Sequence, residues 1–146
     1  MRPDLDLRFT VHDDDVPADA AIVGDGLVAA NALAAALHDV RPLAVFARDD
    51  AGRVVAGAVG RTWGRCCELQ QLWVGPELRG RGIGSHLLQV FEQQAIARHC
   101  GLLYLDTFSF QARPLYEARG YRVVLEIAGF DVGISKYTMT RELPDG

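Results

Sequence analysis

The sequence predicts one mixed α/β domain spanning residues 1–146, and three observations carry that prediction. Strand-like and helix-like stretches alternate along the chain as strand, helices, three strands, helix, strand, helix and two strands. The 146 residues, 49% hydrophobic and 23% charged, have the size and composition of a chain that buries one core. No internal repeat, linker or low-complexity segment interrupts the order.

Each element has a local reason. Leu5 to Val11 alternates apolar and polar residues, the period of a half-buried strand. The acidic run Asp13-Asp14-Asp15 reads as a solvated turn before Pro17. From about Asp19 to Leu37 the chain is Ala-rich, with Leu27, Ala30, Ala34 and Leu37 at helical spacing, and Gly24 and Gly26 are expected to divide it into two helices. Leu43 to Ala47 is a short apolar strand, Asp49 to Gly52 a turn, and Arg53 to Gly60 the returning strand. Cys67 to Val74 is the fourth strand. A helix from Gly82 to His99 places Gly84, Leu87, Leu88, Phe91 and Ala95 on one stripe. Leu102 to Asp106 is a buried fifth strand, Arg113 to Ala118 a short helix stopped by Gly120, and Tyr121 to Ile127 and Ser135 to Arg141 are the last two strands.

Composition narrows the function classes. A formal net charge of −4 argues against a non-specific nucleic-acid binder, which works by neutralising phosphates. It tolerates a cationic partner. No run of about 18 apolar residues reads as a membrane span, and the polar opening Met1-Arg2-Pro3-Asp4 lacks the apolar centre of a signal peptide. A cytoplasmic location is the resulting expectation. Cys66, Cys67 and Cys100 make a poor disulfide framework, and adjacent strand residues point to opposite faces, so Cys66 and Cys67 do not chelate together. His12, His38, His86 and His99 are scattered without a second ligand at helical spacing, and no metal is expected.

The most informative segment is Leu72-Trp73-Val74-Gly75-Pro76-Glu77-Leu78-Arg79-Gly80-Arg81-Gly82-Ile83-Gly84-Ser85. A strand runs into a turn of glycine and arginine and then directly into a helix. The first N–H groups of a helix have no internal partner, and with the helix dipole they attract an anion. Glycines let a phosphate approach and arginines add charge, so the segment predicts a pyrophosphate site. A Walker A loop would need Gly-Lys before Ser or Thr, and this loop has no lysine. A Rossmann fingerprint would need a third glycine or alanine where Ser85 stands.

The spacing of Arg79, Gly82 and Gly84 after the lead-in Leu-x-Val-x-Pro-Glu-x-Arg-Gly resembles the signature of the GNAT superfamily of N-acetyltransferases. Ser109 to Tyr121, with Ala112, Leu115, Tyr116, Glu117 and Gly120, is similar to that family's later motif and lies at the proper distance. Ser109 replaces the family's common Asn, and Pro114 sits in the first turn of the short helix, where proline is tolerated.

The resemblance implies a mixed sheet of six or seven strands, helices on both faces, and a splay between the fourth and fifth strands. It implies acetyl-CoA as co-substrate, with Leu72, Trp73 and Val74 pairing with its pantetheine arm. Arg79, Gly80, Arg81, Gly82, Ile83, Gly84 and Ser85 would hold its pyrophosphate, and Ser109 and Tyr116 complete the cofactor site. Tyr116 stands at the family's general-acid position, where a phenol protonated at neutral pH donates to the departing thiolate. Glu68 stands where some relatives carry a general base; by strand alternation it shares a face with Gln70, Leu72 and Val74. An ion pair with Arg61 or Arg65 is the alternative use of a glutamate in a buried strand. Many relatives use a water chain instead.

The resulting function is direct transfer of acetyl to a primary amine of a small molecule or peptide. The alternative is a non-catalytic acyl-CoA-binding module, against which Tyr116 stands; a toxin acting on aminoacyl-tRNA is disfavoured by the negative charge. His86 reads as a solvated or capping residue, Trp63 and Trp73 as packing or pocket-lining aromatics, and the cysteines as small hydrophobes rather than acyl carriers. Glu126 and Asp131 could attract a cation. A homodimer is the family's habit.

Overall fold

The computed structural model describes residues 6–13, 15–35 and 39–144. The chain forms two compact units, residues 1–37 and residues 38–146. In the first, Ala20–Ala34 is a single helix, α1. The two helices expected there are therefore one: each glycine costs about 1 kcal/mol in a helix, and the surrounding alanines absorb that cost. The first expected strand is also absent. Leu5 lies outside the described residues, and Asp6 to Val11 forms no strand. Alternation supplies a face, but a strand also needs a partner for its N–H and C=O groups. Leu37, His38 and Asp14 lie outside the described residues.

In the second unit the elements are β1 (Arg41–Arg48), β2 (Val54–Trp63), β3 (Cys66–Val74), α2 (Ile83–Ala97), β4 (Leu102–Phe108), α3 (Arg113–Ala118), β5 (Arg122–Asp131) and β6 (Ile134–Glu142). They build an open six-stranded sheet in the order β1-β2-β3-β4-β6-β5. Every pairing is antiparallel except β3 with β4. The helix α2 between those two strands is the crossover that a parallel pair requires. It buries Leu87, Leu88, Phe91, Glu92 and Ala95; the apolar four belong to the stripe read from the sequence. Phe91, Leu88, Leu103, Leu105, Met139 and Cys67 are the largest fully buried side chains.

One backbone irregularity organises the sheet. Val59 pairs with Gln71 and Gly60 with Leu69, so Gln70 is an extra residue in β3, a β-bulge. Opposite it the chains crowd: a Cβ on Gly60 would lie 1.9 Å from the carbonyl oxygen of Glu68 and 2.9 Å from Phe91. Only glycine fits.

Glu92 was not singled out by the sequence, because it reads as the polar neighbour of an apolar stripe. It is 2% exposed. Its Oε1 accepts from Arg119 at 2.5 and 3.1 Å, and its Oε2 accepts from the Tyr121 hydroxyl at 2.8 Å. Arg141 of β6 adds an ion pair at 2.8 Å. A buried carboxylate is tolerated only when paired and hydrogen-bonded, and this one gathers α2, the end of α3 and the β5–β6 pair around it.

Two stability predictions follow from this packing. Gly60→Ala is expected to destabilise the protein by about 2 kcal/mol or more, from forced backbone displacement. Glu92→Gln is expected to cost about 3 kcal/mol by leaving two partly buried arginines short of a counter-charge. Urea denaturation of each variant beside the parent measures both.

Candidate active site

The bulge at Gln70 has a second effect. β3 and β4 pair over only four rungs, Cys66↔Leu102 to Leu69↔Leu105, although β3 continues to Val74 and β4 to Phe108. Beyond Leu69 the strands part, which is the expected splay. The gap opens a cleft of about 800 Å³, bounded by Gln70 to Val74 on one side and by Leu105, Asp106 and Thr107 on the other. Along β3 the peptide groups alternate in direction. The Gly75 N–H donates to Val55 of β2 at 2.9 Å, and the Val74 carbonyl on the other side accepts from Arg79 Nε at 3.1 Å. By the same alternation Leu72 also presents its N–H and C=O to the gap. The open edge can pair with an extended ligand.

The bulge also overturns one sequence reading. Glu68 was expected to share a face with Gln70, Leu72 and Val74. An extra residue reverses strand parity, so Leu72 packs against the core and Val74 approaches Gly84 at the start of α2. Glu68 projects from the opposite face. There Arg61 Nε reaches its Oε1 at 3.0 Å, and the Tyr104 phenol lies close enough to feel its charge. Burial and that carboxylate raise the Tyr104 pKa. Glu68 is not among the residues that line the cleft, and its carboxylate pairs with Arg61.

The cleft ends at the N-terminus of α2. Gly80 and Gly82 have φ of +76° and +78°, a left-handed conformation that costs other residues energy. No side chain caps the helix, no acidic residue stands in its first turn, and its first internal bond runs from the His86 N–H to Gly82. The N–H groups of Ile83, Gly84 and Ser85 are thus free of helical partners. An uncapped helix start beside Arg79 suits an anion. At Gly84 a methyl group would meet Leu115 at 3.4 Å and Val74 at 3.6 Å, ordinary contact distances.

Tyr116 of α3 closes the inner end of the cleft. It is buried, and burial alone pushes its phenol up to about 12. Its ring meets Tyr121 edge-on with centroids 5.8 Å apart, so the Glu92 cluster fixes the wall against which Tyr116 rests.

Of the sequence-assigned residues, Leu72, Trp73, Val74, Arg79, Gly80, Gly82, Ile83, Gly84, Ser85 and Tyr116 line this one cleft. Arg81 does not. It lines a neighbouring groove with Val45, Val54 and His86. Ser109 is also outside: its hydroxyl donates to Gly133 at 3.2 Å and accepts from the Ser135 N–H at 3.1 Å, tying the loop after β4 to the β5–β6 turn. The cleft-side role in that loop falls to Gln111, whose side-chain oxygen accepts from the Phe108 N–H at 2.9 Å. Asp106 is another cleft residue that the sequence does not single out. It looked like the polar end of a buried strand, and nothing local marked the end of pairing.

Other candidates fall away from the cleft. The Cys67 thiol is pushed up to about 12, first by burial, which leaves it unreactive near neutrality. Glu126 accepts from the Ser135 hydroxyl at 3.0 Å, and Asp131 from the Val132 N–H at 2.7 Å. Trp73 is half exposed and lines the cleft, whereas Trp63 is half exposed at the far end of β2.

A split sheet, an uncapped helix start and a buried phenol in one cleft are the features the sequence motifs implied. The sequence pattern of the acetyltransferase (GNAT) family matches residues 10–121. The chain belongs to that family. Among its relatives, an acetyltransferase of Agrobacterium fabrum is 34% identical over 130 residues, covering 88% of this chain and 94% of the relative. Blasticidin-S acetyltransferase of Streptomyces morookaense is 31% identical over 109 residues, covering 72% and 80% respectively. The crystal structure of a protein from Agrobacterium tumefaciens assigned as an acetyltransferase has a TM-score of 0.80 at 30% identity, covering 93% of this chain and 100% of that one. This protein is accordingly a GNAT acyltransferase, with the open mixed sheet of that family.

The backbone at the helix start gives a direct test. Gly82→Ala is expected to lose about 1–2 kcal/mol of stability because its φ is positive, while Gly84→Ala is expected to be nearly neutral. Parallel urea titrations of the two variants separate the effects.

Proposed function

We propose that this protein transfers the acetyl group of acetyl-CoA directly to a primary amine of a small molecule or peptide, acting as a single domain in the cytoplasm, a setting its three free thiols suit. The observation that carries the reading is the convergence, in one cleft, of the open edge of β3, the uncapped start of α2 and Tyr116. The relative named blasticidin-S acetyltransferase supports an acceptor of small-molecule size.

In this reading the α2 N–H groups and Arg79 hold the pyrophosphate, and Leu72 and Val74 pair with the pantetheine amides. Arg79 must first release the Val74 carbonyl. The acetyl thioester then reaches the gap between β3 and β4, beside Tyr116. Transfer forms one C–N bond and breaks one C–S bond. Tyr116 Oη supplies the proton that the departing sulfur needs, since a phenol raised to about 12 stays protonated across neutral pH. Glu68 is bound to Arg61 and lies outside the cleft. The acceptor's proton leaves through water instead.

Calorimetric titration with acetyl-CoA tests the site: binding is expected in the parent and lost in an Arg79→Ala, Gly82→Glu double variant. No binding by the parent would overturn the reading. Tyr116→Phe is expected to keep acetyl-CoA affinity and to lower kcat by about 10²–10⁴-fold. Because the raised phenol acts in its protonated form, no alkaline loss of activity from this group is expected until pH nears 12. A kcat–pH profile checks that limb.

A further inference from the structure

We propose that Asp106 is the anchor for the acceptor's ammonium group, so that the acceptor is recognised as an alkylammonium on the sheet face opposite α2. The proposal rests on the acetyl-transfer reading and names how its second substrate is held.

Position is the first argument. Asp106 follows Leu105, the last β4 residue paired with β3, and is therefore the first residue of β4 beside the gap. It lines the same cleft as Tyr116. Direction is the second. Leu105 and Thr107 on either side of it are buried, so Asp106 projects through the other face, where its side chain is 51% exposed. Tyr116 belongs to the buried core on the first face. A carbonyl carbon in the gap would have its proton donor on one face and a carboxylate on the other, the side from which an attacking amine has room to approach.

The carboxylate is prepared for a cation. Oδ1 accepts from Thr138 Oγ1 at 2.6 Å, which fixes the plane of the group. Oδ2 faces Lys136 Nζ at 3.6 Å, beyond hydrogen-bond length and two-thirds screened by neighbours on the lysine side. An ammonium thus already stands near Oδ2 without bonding to it, held also over the Phe108 ring at 6.0 Å. Nearby carboxylates have partners elsewhere: Glu68 pairs with Arg61, and Glu126 accepts from Ser135.

The chemistry closes. An alkylamine arrives as its abundant ammonium form and is held by Asp106. It loses one proton to water and attacks with the freed lone pair; the C–N bond forms, the C–S bond breaks, and the sulfur takes the Tyr116 proton. The nitrogen loses its second proton to water as the amide forms; of the two protons released, one restores Tyr116 and the other stays in solvent.

The probe is n-butylammonium chloride, titrated by NMR into the protein already loaded with CoA. The parent is expected to bind it. Asp106→Asn is expected to weaken binding by about tenfold or more, the value of a charge-assisted hydrogen bond. Lys136→Met is expected to tighten binding, because it removes the competing cation; a merely structural Asp106 would give no such opposite response. Both side chains are partly exposed, and thermal melts confirm that the variants fold. Equal affinity in Asp106→Asn, or no butylammonium binding by the CoA-loaded parent, would overturn the anchor while leaving acetyl transfer standing. Failure to bind CoA, read before any amine is added, would overturn both.

Discussion

Four rungs of parallel pairing between β3 and β4 determine where the rest of the active site can stand. Further pairing would close the sheet and leave no cleft; less would weaken the hydrogen-bonded link between its two halves. The pairing stops where Gln70 bulges, and the bulge is possible because Gly60 opposite it carries no side chain. Beyond that point β3 keeps its bonds to β2 but has an open edge. Unpaired peptide groups in a partly buried cleft need partners, and Arg79 supplies one by donating to the Val74 carbonyl. The same arginine belongs to the turn leading to the α2 anion site. One side chain therefore links the two halves of the proposed coenzyme site, and its release from Val74 frees the β3 edge for a ligand amide while the guanidinium turns to a phosphate.

A second constraint holds Tyr116 in place. Glu92 is buried on α2, and its charge is balanced by Arg119, Arg141 and the Tyr121 hydroxyl. Such a cluster adds little net stability compared with an apolar core of equal volume, because desolvation offsets attraction. What it does here is geometric. It joins the middle of α2 to the residues that flank α3 and to β6, and it orients the Tyr121 ring whose edge meets Tyr116. The proposed proton donor and the helix whose N-terminus would hold the pyrophosphate are thereby tied to one buried group.

The parts of the fold set by local pattern were legible in the sequence. The apolar stripe of α2 and the six strands from Leu43 onward follow side-chain periodicity, and the structure reproduces them with ends shifted by a few residues. The glycine and arginine turn was legible as a tight lead-in to a helix, and Gly80 and Gly82 do take positive φ there. What failed depended on partners distant in sequence. Asp6 to Val11 has the alternation of a strand without a ladder. Glu68 was assigned to the wrong face because parity counting assumes no bulge, and the cause of that bulge lies across the sheet at Gly60. Glu92 and Asp106 were passed over for the same reason: one is balanced by arginines 27 and more residues away, and the other matters only because pairing ends beside it.

The two substrates of the proposed reaction carry opposite charge, and the chain separates opposite charges across the sheet. On the α2 side stand free helix N–H groups, Arg79 and no first-turn acid, a local positive potential within a protein of net charge −4. On the far side stands the Asp106 carboxylate, fixed by Thr138 and attended at longer range by Lys136. In the proposed reaction a polyanionic donor and a cationic acceptor would thus be drawn to different faces of one gap. Neither can occupy the other's position without an electrostatic penalty, and they meet only where β3 and β4 have parted. The same separation would place the proposed proton-donating phenol on the donor's side, buried and protonated, and the ammonium that must be deprotonated on the solvent side, where water can take its protons.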